Sequence, residues 1–368
     1  MRAELASMAV CLALAGCAAA PPAVVPPDAR LPIASRLDSV HDDMARATDM
    51  KESPVLSGLP DPSKESVLFK PPVVMQTLAD PWRGIEQLER RLLRVAVAPL
   101  RDHPVPELIT ALHDLPDRSV VLSALPTPPS SMKPDDHLAY LETVLVEADK
   151  LRERALEGLN ESERQFLFDH AALLAEQFVP QLSEQNEDQQ FRARMHNRFF
   201  SLIVERLDET AMLTSAQLVA SLADDAWLQA AQTAFARLPP VSPSLPWITG
   251  AVVLAKETPA GWIVIGGSGP NTYRETDQRV ALLLDLGGDD TYAGFAAPAN
   301  VSQGVSVVID LAGNDIYETA PLGLATGRLG VGLLLDRAGN DRYRLASGSG
   351  GAGFAGIGLL VDGSGNDQ

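Results

Sequence analysis

The residues able to do chemistry are aspartates, and they recur. Asp285, Asp310, Asp336 and Asp362 lie 25, 26 and 26 residues apart, each followed five positions later by a second carboxylate, Asp290, Asp315, Asp341 and Asp367. Asp289, Asn314, Asn340 and Asn366 stand just before that second position. The surrounding phrases read LLLDLGGDDTY from Leu282, VVIDLAGNDIY from Val307, LLLDRAGNDRY from Leu333 and LLVDGSGNDQ from Leu359. A fixed period of this size is the mark of stacked structural units, and strands stacked at about 4.8 Å turn equivalent residues into columns. Two unit charges at that spacing repel by about 3.5 kcal/mol at an effective dielectric of 20 and by about 0.9 kcal/mol in water. From Val280 onward ten acidic residues face only Arg328, Arg337, Arg342 and Arg344, so side chains do not neutralise the columns. A hard divalent cation does: Ca²⁺ takes carboxylate, side-chain amide and turn carbonyl oxygens. All twelve Asp and Asn positions are therefore candidate Ca²⁺ ligands. A second reading needs no ion, because Asp and Asn also fill turns by bonding their own backbone and Asn stacks into uncharged ladders.

The segment Ala312-Gly313-Asn314-Asp315-Ile316-Tyr317 resembles the G-N-D-x-apolar half of the calcium-binding repeats of RTX proteins, over about six residues per repeat. The period differs, roughly 25 residues here against nine there. The resemblance implies Ca²⁺ held between successive turns, with Asp290, Asp315, Asp341 and Asp367 matching the ligand aspartate. The leading aspartates enter from the column argument alone.

The elements that position these groups follow from the same phrases. Each aliphatic trio reads as a buried strand, the Asp-to-Asp segment as a turn, and Tyr292, Tyr317 and Tyr343 as a stack with hydroxyls in water. Trp262 to Tyr273 aligns with the phrase, but Gly266 replaces the leading Asp and Pro270-Asn271 the acidic pair. That pattern fits a terminal unit without a metal. Gly348-x-Gly350-x-x-Gly353 matches the dinucleotide fingerprint only formally, since a repeat strand rather than a helix follows it. Upstream, between residues 81 and 239, the spacing is helical, as in Ile85, Leu88, Leu92 and Val95 or Leu138, Leu141, Leu145, Ala148 and Leu151. Pro134 with Asp135 and Asp136 reads as a first helical turn, and Asn160 with Glu163 as a capping box. Further helices are expected over Phe199 to Leu207 and Leu218 to Phe235. The fold class is therefore α+β and multidomain: an irregular α-helical bundle over 81–239, a proline-rich break from Pro239 to Pro246, and a parallel β-solenoid of about 25-residue coils over 247–368.

A net charge of −18 over 368 residues argues against nucleic acid and anionic membrane surfaces as partners. The only cysteines, Cys11 and Cys17, exclude a disulfide framework or cysteine metal site in the body of the chain. Met8 to Ala15 is a short apolar run of signal-peptide length, and Leu14-Ala15-Gly16-Cys17 resembles the lipobox of bacterial lipoproteins. That resemblance implies a signal peptide over 1–17, lipidation of Cys17 and attachment to the cell envelope, with outer-membrane sorting permitted by Ala18. Residues 18–80 carry ten prolines and suit an extended tether. The six histidines all precede the repeats, show no H-E-x-x-H spacing, and are expected to be surface or capping residues. These features favour an envelope-anchored, calcium-binding scaffold or adhesin-like module without catalysis, presenting a surface to a cell-surface or polysaccharide ligand. The alternative is a polysaccharide-active β-helix enzyme, a calcium-assisted lyase or hydrolase in which Arg342 or Arg344 neutralises a uronate. A third arrangement, an outer-membrane barrel, is disfavoured because the strand trios lack the alternation of a lipid face.

Overall fold

The computed structural model describes residues 90–98, 104–114, 125–176, 187–294 and 303–368. The lipobox, the tether and residues 81–89 of the expected helical region lie outside these. Two compact units divide the described residues: 90–98 and 104–114 belong to the first, the remainder to the second. In the first unit residues 90–97 are helical, and α1 spans Pro104–Asp114.

The second unit begins with five helices, α2 (Pro134–Ala155), α3 (Glu161–Glu176), α4 (Glu187–Arg206), α5 (Glu209–Ala220) and α6 (Asp225–Phe235). Pro134 opens α2 with Asp135 and Asp136 in the first turn, where a missing N–H costs nothing and carboxylates meet the positive end of the dipole. The capping box before α3 is closed in both directions: the Glu163 N–H donates to Asn160 Oδ1 and the Asn160 N–H to Glu163 Oε2, each at 3.0 Å. The helix expected over Leu218 to Phe235 is broken. Asp224 caps α6 by accepting from the Trp227 N–H at 2.9 Å, a short 3-10 turn over Ser221–Ala223 precedes it, and α5 ends at Ala220. Among these described residues no helix is long and apolar enough to cross a membrane.

From Ile248 the described residues form short strands joined by turns. Sheet A has the order β13-β10-β7-β5-β3-β2 and sheet B the order β1-β4-β6-β8-β11, with β9 (Gly327–Arg328) and β12 (Gly353–Phe354) forming a third, two-stranded sheet. Each repeat contributes one strand to sheet A, namely β5 (Val280–Asp285), β7 (Val305–Asp310), β10 (Val331–Asp336) or β13 (Ile357–Asp362). The first three add a short strand to sheet B: β6 (Thr291–Ala293), β8 (Ile316–Glu318) and β11 (Arg342–Arg344). The pairing is parallel and keeps the sequence register, Asp285 beside Asp310, Asp310 beside Asp336 and Asp336 beside Asp362. Tyr273, Tyr292, Tyr317 and Tyr343 are likewise neighbours in turn. The expected atypical unit is in register as well: β3 (Gly261–Gly266) pairs with β5 and β4 (Thr272–Arg274) with β6. Both sheets become mixed at this end, because β2 (Val252–Thr258) lies antiparallel to β3 and β1 (Ile248–Thr249) antiparallel to β4. The sheets are open, each with two edge strands, and do not close into a barrel.

Alternation along β5, β7 and β10 explains both the continuous aliphatic runs and the placement of the aspartates. Leu283, Val308 and Leu334, the middle residues of the trios, enter one core cluster with Val264, Tyr273, Tyr292 and Tyr317. Two residues further along the same face stand Asp285, Asp310 and Asp336. The opposite face is covered by helices, α2 against β7 and α5 against β10 and β13, so every residue of β5, β7 and β10 is buried. Sheets buried on both faces read as unbroken hydrophobic runs. Polar bonds fix the helical cover: buried Arg152 donates from Nε to Leu329 O at 2.7 Å, Arg279 pairs with Asp149 at 3.1 Å, and Arg337 with Asp225 at 2.7 Å. At Gly304 a Cβ would collide with the Asp149 carboxylate and the Arg152 stem, so this close approach requires glycine. The proline-rich break at Pro239 to Pro246 thus falls within one compact unit, with helices before it and sheets after it packed together.

Candidate metal centre

Each leading aspartate ends its sheet A strand pointing inward, and the turn that follows brings the second aspartate back toward it. Asp285, Asp290, Asp310, Asp315, Asp336 and Asp341 are at most 1 % exposed. They gather into three groups, Asp285/Asp290/Asp310, Asp315/Asp336/Asp341 and Asp341/Asp362/Asp367, each offering three carboxylate oxygens within 4.8 Å of one another. Two oxygens on one Ca²⁺ at 2.3–2.6 Å lie no more than about 5 Å apart, so the spacing suits a shared ion. Glycine makes room for them. At Gly313 and Gly339 a Cβ would strike the preceding repeat's backbone and crowd the carboxylate of Asp315 or Asp341.

Hydrogen bonding uses both oxygens of Asp285 and Asp310, whose Oδ1 atoms accept from the Gly287 N–H at 2.8 Å and the Ala312 N–H at 3.0 Å, and one oxygen of each of the other aspartates in the groups. In the leading column the tyrosine of the preceding unit donates to Oδ2: Tyr273 to Asp285, Tyr292 to Asp310 at 2.5 Å, Tyr317 to Asp336 and Tyr343 to Asp362 at 2.7 Å each. The tyrosines do stack, with ring centroids 5.2, 4.7 and 4.9 Å apart. Their hydroxyls, expected in water, are instead turned inward, because a phenol enclosed between the sheets needs an acceptor and the next repeat's aspartate supplies one. In the second column Oδ1 accepts a backbone N–H from the unit before, Asn271 to Asp290 at 2.6 Å, Asp290 to Asp315 at 2.6 Å, Asp315 to Asp341 at 2.7 Å and Asp341 to Asp367 at 2.9 Å. The remaining oxygens face one another. Oδ2 of Asp290, Asp315 and Asp341 and Oδ1 of Asp336 and Asp362 are buried without a hydrogen-bond partner.

The electrostatic consequence is large. Burial, reinforced by Asp285, pushes Asp290 up to about 8. Burial with Asp310 beside it pushes Asp315 up to about 9, and burial with Asp341 and Asp310 nearby pushes Asp336 up to about 8. Asp341 rises to about 6, mainly by burial and then by Asp367, while burial also raises Asp285, Asp310 and Asp362. At about 8 or 9, Asp290, Asp315 and Asp336 hold protons near neutral pH, which a cation bound to the groups would displace.

Of the twelve residues singled out by sequence, the eight paired aspartates fall in the three groups. Asp289, Asn314, Asn340 and Asn366 stand apart, in an exposed ladder. Asp289 Oδ1 accepts from Asn314 N and Nδ2 at 3.0 and 3.2 Å, Asn314 Oδ1 accepts from Asn340 N and Nδ2 at 3.1 Å each, and Asn340 Oδ1 accepts from Asn366 N at 3.1 Å. An exposed ladder of amides headed by Asp289 and the buried carboxylate groups thus coexist on adjacent residues. Sequence reasoning missed the four tyrosine hydroxyls as members of the site. Their signal was a nearly constant distance to the next leading aspartate, 18, 19 and 19 residues after Tyr292, Tyr317 and Tyr343.

The histidines also depart from expectation. His137 and His170 are buried: His137 Nε2 lies 2.8 Å from Ser131 O, and His170 stacks on Phe166 with ring centroids 5.4 Å apart. Helix packing rather than capping places them. No protein-family model, curated protein or solved structure matches the chain.

Proposed function

We propose that the strand region is a parallel β-solenoid ordered by Ca²⁺, part of an envelope-anchored scaffold or binding module that carries out no catalysis. The observation that carries this reading is the set of buried carboxylate oxygens left without partners, three aspartates to a group. A partnerless buried acceptor costs about 1–3 kcal/mol, more when charged, and one ion between successive repeats satisfies several at once. Strands added in register every 25 or 26 residues support the solenoid. The burial of the first two groups favours a structural ion over a catalytic one, since a substrate must reach a catalytic metal. Attachment to the envelope rests on the Leu14-Cys17 pattern and implies a lipid on Cys17.

The test is a calcium titration of the Cys17→Ser chain, followed by far-UV circular dichroism and melting temperature, with magnesium as control. A saturable gain in stability selective for calcium is expected. An identical melting temperature with calcium and with chelator would overturn the ion reading. Incorporation of labelled lipid by the wild-type chain, lost in Cys17→Ser, tests the anchor separately.

A further inference from the structure

The acidic column has a built end, and one side chain makes it. In the atypical first unit Gly266 stands where later units have the leading aspartate, and Asn271 stands at the position of Asp290, Asp315 and Asp341. The backbone of Asn271 behaves as the column requires, its N–H donating to Asp290 Oδ1 at 2.6 Å. Its side chain does not. Oδ1 accepts from the Ala251 N–H at 2.8 Å, and Nδ2 sits 3.1 Å from Asp285 Oδ2, 3.0 Å from Tyr273 Oη and 3.2 Å from Ala251 O. The amide nitrogen, on a residue only 3 % exposed, thus lies among three oxygens, of which the Asp285 carboxylate and the Ala251 carbonyl are of a kind a hard cation takes. Gly266 leaves the space free, since a Cβ there would collide with Asp285 Oδ2 and Tyr273 Oη.

The same position one repeat later shows the difference. Asp290, 1 % exposed, has its Oδ2 buried without a partner among Asp285 and Asp310. Asp285 Oδ2, by contrast, receives both Tyr273 Oη and the Asn271 amide. An amide brings two N–H donors and no charge, so it gathers acceptor oxygens as a cation does without the cost of desolvating an ion.

We propose that Asn271 terminates the ion column by standing in for a cation in the first boundary, and that an aspartate at position 271 converts this boundary into one additional calcium site. The inference rests on the calcium reading of the later boundaries. Calcium stoichiometry of the full-length wild-type and Asn271→Asp chains, measured by equilibrium dialysis with radioactive calcium, tests it. One more ion per chain is expected for N271D, with a lower melting temperature than wild type in chelator and a larger rise on adding calcium. Equal stoichiometry in a folded N271D chain, or N271D that fails to fold even with calcium, would overturn the proposal.

The reciprocal variant, Asp315→Asn, places an amide in a central boundary: one ion fewer and a higher melting temperature in chelator are expected, and a lower one would count against the amide as stand-in. The two readings fail differently. A wild-type chain that binds calcium while N271D binds no more defeats the role of Asn271 and keeps the calcium reading. Absence of calcium from both chains defeats both.

Discussion

Asp315 and its neighbour Asn314 share a turn and meet opposite fates. Asn314 stacks outward between Asp289 and Asn340, where each amide offers an acceptor to the next residue and finds one in the last. Asp315 turns inward, accepts the Asp290 N–H, and leaves its other oxygen buried against Asp336 and Asp341. A primary amide carries both donors and acceptors, so a column of amides is self-sufficient. A column of carboxylates has acceptors only, and needs protons or metal ions to supply the missing positive partner.

The strongest way to break this contrast is at Asp341, which belongs to two of the acidic groups. A single site at calcium 100-fold above its dissociation constant stabilises by about 2.7 kcal/mol. Asp341→Asn is expected to remove most of the calcium-dependent rise in melting temperature, and Asp290→Asn only the share of one group. Equal losses would mean that Asp341 does not bridge two ions. Calorimetry of the two variants with calcium and with chelator decides it.

Proton occupancy gives an effect of intermediate size. Asp290, Asp315 and Asp336 have folded pKa values of about 8, 9 and 8, well above the ordinary carboxylate value of about 4. Between these values the folded chain binds more protons than the unfolded one. Their contribution to calcium-free stability is therefore full below about pH 4 and is lost as pH rises through the folded values. Melting temperature in chelator is expected to fall from pH 6 to pH 9, and the calcium-induced gain to grow over the same range. A calcium-free melting temperature that does not change between pH 6 and pH 9 would contradict the raised pKa values.

The smallest effect belongs to the outer ladder. Asn340→Ala removes exposed amide bonds, each worth about 0.5–1.5 kcal/mol at most in net terms. It should lower stability slightly and equally with and without calcium. A calcium-dependent effect there would show that the ladder and the buried groups are not separate.

What the sequence made legible was whatever repeats. The interval between Asp310 and Asp336 announces the register of β7 and β10, and the Gly266 and Asn271 replacements mark an atypical unit. Which residue of each Asx-Asp pair faces inward was not readable, because a turn has no period to assign a side. The tyrosine partners were hidden for another reason: Tyr317 bonds Asp336, 19 residues downstream, and only the stacking of units brings them together. Upstream, the continuous helical spacing from Leu218 to Phe235 concealed the cap at Asp224, since hydrophobic spacing continues across a break that one side-chain hydrogen bond caps. The two buried histidines likewise depend on which helix faces meet.

The hydrogen bonds that cross from one unit to the inward aspartates of another run one way. Each tyrosine hydroxyl, and each N–H of the second column, gives its proton to an aspartate of the unit that follows. A unit therefore carries donors whose acceptors do not yet exist while the chain is being made. Each repeat satisfies the donors of its predecessor and leaves its own to the next, so cooperativity is carried by neighbours rather than by the unit alone.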